Sequence, residues 1–278
     1  MSTGDFDIGI LGPAFAAGLL VLSTHVPLGR QVLARGIIFI DLAIAQVAGV
    51  GVILAANLGW DEHGVAAQLA AFVAALGGAL LLWGVEKLWP DIQEALIGVL
   101  FVVSACLGIL LLSHNPEGGE HLRDLLVGQI LWVGYGGLAM PALIYAAILA
   151  VWFLLPARSH PLVFYPLFAV TVTVSVQLVG VYLVFASLIL PAIATRKRQR
   201  RGELLLGYLL GGLGYGAGLL LSLWFDLPAG ALIVCCLLAA IAPWLVIHST
   251  LVRRVDGSLT TSNIGASEVE SPHTNAPL

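Results

Sequence analysis

The stretch LVFYPLFAVTVTVSVQLVGVYLVFASLILPAIAT, residues 162–195, carries no charge, and the basic cluster of residues 196–201 follows it directly. As one straight helix, these 34 residues would be about 51 Å long, whereas the hydrocarbon core of a bilayer is about 30 Å thick. Arg158 lies just before the stretch, and Lys and Arg collect on the cytoplasmic side of membranes. We therefore predict two shorter crossings that meet near residues 177–180, which keep both basic ends on one side.

The rest of the chain is equally apolar. Of its 278 residues, 59% are hydrophobic and 10% are charged, which leaves too few charges to cover a soluble surface. A less regular stretch, residues 125–133, precedes the span of residues 138–155. Together these features predict an all-α polytopic integral membrane protein with about 8–9 transmembrane helices and a short re-entrant or half-helix element. The other predicted spans are residues 8–28, 36–58, 65–85, 95–112, 138–155, 203–225 and 229–249.

The basic residues predict the orientation of these spans. With nine crossings and the N-terminus outside, all of the 12 Lys and Arg residues except Arg123 face the cytoplasm. Residues 1–255 would then form the transmembrane domain, and residues 256–278, rich in Ser, Thr and Asn, a disordered cytoplasmic tail. The net charge of −4 gives no sign of nucleic-acid binding.

Asp41 is the one carboxylate that lies well inside a predicted span. An acid inside a membrane is costly and commonly lines a transport pathway, although an ion pair with Arg30 or Arg35 would also explain it. Gln46 is a second pathway candidate, or a polar contact between helices. The two do not share a tight helical face, because five residues rotate a helix by about 140°. Glu94 is a weaker pathway candidate near the cytoplasmic end of its span.

Histidines lie among acidic residues in two of the four predicted outer connections. His63 follows Asp61 and Glu62, and His114 and His121 flank further acidic residues. Imidazoles and carboxylates suit divalent transition metals, and the acids would also attract cations to the outer mouth. An ordinary solvated loop is the alternative. The chain has no P-loop, nucleophile elbow or HExxH motif, so we expect no catalysis by this chain itself.

Four stretches, taken in order along about 220 residues, resemble the permease subunits of the zinc/manganese/iron branch of ABC importers. Their order and spacing carry the resemblance. They are residues 27–35 with Asp41 and residues 49–51; residues 94–99 and 111–113; residues 125–132; and residues 179–184, 190–196 and 226–230.

The resemblance implies a multi-pass protein of the bacterial plasma membrane that imports divalent metal ions as a homodimer. Its partners would be a cytoplasmic ABC ATPase, which hydrolyses the ATP, and an extracytoplasmic substrate-binding protein, with membrane lipid around the assembly and no cofactor. A stand-alone secondary transporter and a transport-deficient membrane protein with the permease fold are the alternatives.

The chain departs from the family pattern at two places. The family carries a His four residues after the Asp that matches Asp41, whereas this chain has Ala45 there and Gln46 beside it. The family also has a longer cytoplasmic segment for ATPase docking, which is reduced here to residues 156–161. We therefore expect docking by Arg158 and by the cluster that contains Arg196 and Arg198, with Glu203 as a further contributor.

The predicted orientation can be tested by cysteine labelling from outside, after the native cysteines are replaced. A membrane-impermeant maleimide should react with cysteines at positions 3 and 179, and cysteines at positions 198 and 260 should be protected. Protection of position 3 would contradict the orientation.

Overall fold

A computed structural model describes residues 8–61, 64–113, 124, 126–154, 160–196 and 202–246. In this part of the chain the fold consists of helices without any strand, as predicted. The helices are α1 (Ile8–Arg35), α2 (Ile40–Asn57), α3 (Val65–Leu88), α4 (Gln93–Leu112), α5 (Tyr135–Leu154), α6 (Pro161–Val179), α7 (Val181–Thr195), α8 (Gly202–Phe225) and α9 (Ala229–Val246).

Eight of these nine described helices are long and apolar enough to cross a membrane, and α7 is the shorter exception. This result confirms the polytopic all-α fold. The helix ends also agree with the charge pattern. Arg35 lies in the last turn of α1 and Lys87 in the last turn of α3, and α2 and α4 begin after them. We refer to this side of the bundle as the basic end. The distribution of Lys and Arg predicts that it faces the cytoplasm.

The break between α6 and α7 lies at Gly180, inside the predicted window. Gly180 has a φ of 82° and a ψ of 161°, a backbone conformation that favours glycine. The two helices are unequal. The 19 residues of α6 correspond to about 28 Å, whereas the 15 residues of α7 correspond to about 22 Å. Val179 is fully buried, so a cysteine at position 179 would be a poor label site, and the exposed Gln177 is the better one.

The irregular segment before α5 packs directly onto this break. Gly128, with a φ of 72°, lies against the backbone of Val179 and Gly180, and the Val127 carbonyl lies against Gly230 at the start of α9. Non-helical backbone is tolerated at membrane depth where protein buries it. The segment covers the turn at the start of α7. It is the stretch predicted to hold a half-helix element, and its described part includes a 3₁₀ turn at Ile130–Trp132.

Glycines and hydroxyl groups pack α7 into the interior of the bundle. Gly29 of α1 lies against the Leu188 carbonyl, so that the two helices approach closely. The Ser187 and Tyr215 hydroxyls are 2.8 Å apart and join α7 to α8. Because α1 packs against one face of α7 and α8 packs against another, α7 is an inner helix and not a lipid-facing one.

We predict that Gly180→Ala destabilises the protein. A methyl group there would meet the backbone of Val127 and Gly128, and the positive φ adds strain. Together these effects should cost about 2 kcal/mol or more. Gly98→Ala is the matched control, because open space surrounds the Gly98 position in α4. Thermal unfolding in detergent, followed by size-exclusion chromatography, should separate the two variants. Equal melting temperatures would contradict the tight crossing.

Candidate functional site

A narrow cleft lies between α2, α4, α6 and α7, with an inner space of about 10 Å³, enough for about one water molecule. Most of its lining is small or aliphatic, and Gln46, which is half-buried, is the polar exception. The lining residues are Ala45, Gln46, Gly49, Val50, Ile53, Gly108, Val176 and Val181.

The period of α2 explains why the cleft forms here. Asp41, Ala45, Gly49 and Ile53 recur at four-residue spacing and therefore share one face of the helix. Small side chains at two of these positions leave space between α2 and its neighbours. Asp41 lies one turn from Ala45 in the first turn of α2, at the basic end of the cleft. The sequence candidates Asp41 and Gln46 thus belong to one region, although they point in different directions around the helix.

Asp41 is 1% exposed, and neither carboxylate oxygen has a hydrogen-bond partner of ordinary geometry. The backbone N–H groups of Asp41 and Leu42 are the donors that approach it. Arg30 and Arg35 pair elsewhere, so the ion pair considered from the sequence does not form. Burying an acid without such a partner is expensive.

Glu94 lies in the first turn of α4, next to the residue that precedes α2. Glu94 Oε1 accepts a hydrogen bond of 3.2 Å from the Phe39 N–H and so caps the start of α2. Its Oε2 is buried, and the Ile38 N–H also approaches this carboxylate. Glu94 was a minor candidate in the sequence, and the packing of α4 on α2 brings it to the site.

An aromatic pair lies at the basic end of the cleft. The rings of Phe39 and Phe185 are stacked with centroids 6.2 Å apart and planes 5° from parallel. Phe185 follows the lining residue Val181 by one turn of α7, and Phe39 immediately precedes α2. The pair therefore joins α7 to the start of α2.

Two ion pairs tie the neighbouring helices together at the same end. Arg30 and Glu203 are 2.8 Å apart, and Arg35 and Glu86 are 2.9 Å apart. Arg35 also lies 4.6 Å from the centre of the Phe164 ring. The Glu203 side chain is 2% exposed, so the expectation that it contributes to a docking surface is wrong.

The other sequence candidates fall at the edges of the described chain. His63, His114, His121, Arg158 and Arg198 lie outside the described residues. Arg196, directly after α7, is exposed. Within the described ranges no group of three or more His, Cys, Asp or Glu side chains comes together. Of the candidates named from the sequence, Asp41, Gln46 and Glu94 are the ones that the structure places at or near the cleft.

The described chain is a multi-pass helical bundle with a short inner helix, α7, and a cleft between helices, an architecture that membrane permeases use. A profile of the ABC 3 transport family matches residues 7–159 and 154–247, and the chain belongs to this family. It is a permease of an ABC transporter and a multi-pass protein of the bacterial inner membrane.

Related proteins match along most of their length. The chain is 28% identical over 255 residues to an uncharacterized membrane protein of Synechocystis, covering 82% of this chain and 86% of the relative. It is 23% identical to the high-affinity zinc uptake system membrane protein ZnuB of Haemophilus influenzae, covering 82% and 93%. A chain of PsaBC from Streptococcus pneumoniae in complex with Fab superposes with a TM-score of 0.66 at 24% identity, covering 87% and 91%. That similarity supports the fold.

Proposed function

We propose that this chain is the permease subunit of an ABC importer for divalent metal ions and that its substrate passes along the cleft of α2. The observation that carries the proposal is Asp41, a buried carboxylate without a hydrogen-bond partner at one end of the cleft. Intramembrane acids of this kind mark ion pathways. Relatives named for metal transport, such as the zinc uptake protein ZnuB, support the choice of substrate.

The permease would work with three kinds of protein partner. A separate cytoplasmic ATPase supplies the energy, because the chain itself has no P-loop motif. An extracytoplasmic binding protein delivers the substrate, and a second copy of the chain completes the pathway. Exposed apolar side chains on α4, including Val99, Val103 and Leu110, suit lipid or the second copy.

Transport by this permease would require that substrate can enter at the outer side and leave at the basic end. At the outer side, substrate would enter next to the packed segment that contains Gly128. At the basic end, the stacked rings of Phe39 and Phe185 would have to separate before substrate could leave. Movement of α7 against α2 would separate them, and ATP-driven closure of the partner ATPase would supply that movement.

Asp41→Asn should lower metal uptake by tenfold or more while leaving folding intact, because the amide keeps the shape of the side chain and removes its charge. Uptake by cells that express the variant at the wild-type level would measure the effect. Asp91→Asn is the matched control, since the exposed Asp91 precedes α4 in a short 3₁₀ turn. Unchanged uptake in the Asp41 variant would exclude this carboxylate from the pathway.

We further propose that Arg158, Arg196 and Arg198 carry the ATPase contact through exposed charges. Only residues 156–161 connect the flanking spans, and Pro156 and Pro161 bracket them, so a regular docking helix cannot extend through. Arg196 is exposed. Contacts between exposed charges are screened by salt.

An Arg158→Glu, Arg198→Glu variant should therefore recover less ATPase than the wild type in a pull-down, and raised salt should weaken the wild-type complex. A variant with Lys at both positions keeps the charge and serves as the control. Equal recovery by all three proteins at low and raised salt would place the contact elsewhere.

A further inference from the structure

We propose that the hydrogen bond between Tyr165 and Gln93 couples movement of the start of α6 to the aromatic pair at the basic end. The Gln93 side-chain amide donates this bond to the Tyr165 hydroxyl over 2.6 Å, and both side chains are buried. The inference rests on the proposed import function. It names both side chains as positioning residues, through which closure of the ATPase would separate the stacked rings.

The start of α6 is the part of this helix that lies nearest to the proposed ATPase contact. Arg158 precedes α6 by three residues, and His160 caps the helix by accepting a hydrogen bond of 3.3 Å from the Leu162 N–H at its Nδ1. Pro166, directly after Tyr165, has no N–H to donate to the Leu162 carbonyl. A helix bends most easily at such a proline. The first turn of α6 can therefore move with His160 while the buried remainder stays in place.

Two adjacent aromatic residues connect this first part of α6 to other helices. The Phe164 ring lies 4.6 Å from the guanidinium of Arg35, in the last turn of α1, and Arg35 is also paired with α3. Tyr165 accepts the hydrogen bond of Gln93, the first residue of α4. No residue of the 3₁₀ turn Pro90–Ile92 that precedes α4 is buried. The start of α4 is therefore less restrained than the end of α1, and movement of Tyr165 would pass to α4.

The start of α4 is in turn bonded to the aromatic pair. Glu94 follows Gln93 and accepts a hydrogen bond of 3.2 Å from the Phe39 N–H, and the Phe39 ring stacks on Phe185 of α7. A displacement of Gln93 would therefore move Glu94 and, through it, the Phe39 ring. Contacts of stated length thus lead without a gap from the first turn of α6 to α7.

Tyr145 provides a matched comparison for a hydrogen bond that only stabilises the fold. Its hydroxyl lies 2.6 Å from the Ser175 hydroxyl, both side chains are buried, and the bond joins α5 to the part of α6 beyond Pro166. Tyr145→Phe and Tyr165→Phe therefore remove the same group from hydrogen bonds of equal length. The variant at position 165 alone interrupts the route to Phe39.

Fluorine NMR of the full-length chain in lipid nanodiscs tests this coupling without transport. A 4-fluorophenylalanine at position 185 keeps the ring and reports its stacking on Phe39. Its resonance should shift by more than a linewidth in Tyr165→Phe and in Gln93→Leu, and no further in the double variant, because both changes remove one hydrogen bond. Tyr145→Phe should leave it unchanged. An unshifted resonance in Tyr165→Phe would overturn the proposal, and so would an equal shift in Tyr145→Phe.

Proteoliposomes that contain the complete transporter separate coupling from stability. Zn²⁺ and Mn²⁺, each supplied alone, would be followed together with ATP hydrolysis. In Tyr165→Phe the ATP hydrolysed per ion imported should rise about fivefold, the contribution of one hydrogen bond, with hydrolysis itself maintained. In Tyr145→Phe this ratio should equal that of the wild type. A parallel fall of uptake and hydrolysis in Tyr165→Phe would show a structural role and overturn the coupling, while wild-type import would keep the proposed function. If the wild type imports neither metal, the proposed function fails, and the fluorine resonance still decides whether Tyr165 controls the aromatic pair.

Discussion

The contact between Gly128 and Gly180 is the constraint on which the rest of the structure depends. A chain inside a bilayer must satisfy or bury its backbone polar groups, yet α7, at about 22 Å, is too short to cross alone. Two glycines with positive φ let the irregular segment before α5 pack directly on the turn between α6 and α7. The turn can then end inside the bundle. As a result, α7 begins inside the bundle, where Val181 lines the cleft and the Phe185 ring stacks on Phe39. If α6 and α7 each crossed the whole bilayer, these two side chains would lie at other depths.

Charges inside the bundle follow a second constraint, because each ion taken from water needs compensation. Two ion pairs provide this compensation. Arg30 with Glu203 joins α1 to α8, and Arg35 with Glu86 joins α1 to α3. Asp41 is different, because it is 1% exposed and the backbone N–H groups of Asp41 and Leu42 are the donors that approach it. Among the described residues no ion pair offsets the cost of burying this acid.

Much of the fold could be predicted from the sequence, because length and charge are local properties. The uncharged stretch of residues 162–195 is too long for one helix, and the break occurs at Gly180 as expected. The site was less predictable. Asp41 can be recognised in the sequence as an acid within an apolar run, whereas the importance of Glu94 follows only from the packing of α4 on α2. The sequence predicts that Glu203, at the start of a helix, is a surface charge, but its ion pair with Arg30 is buried.

Glu94 connects the start of α4 to the aromatic pair at the basic end. Its Oε1 accepts a hydrogen bond from the backbone N–H of Phe39, whose ring stacks on Phe185 of α7. This one side chain therefore links α4, the residue before α2 and, through the stacked rings, α7. Because the carboxylate is rigid and planar, a shift of α4 would also displace the Phe39 backbone. A permease must open one end at a time, and this linkage ties the packing of the aromatic pair to the position of α4.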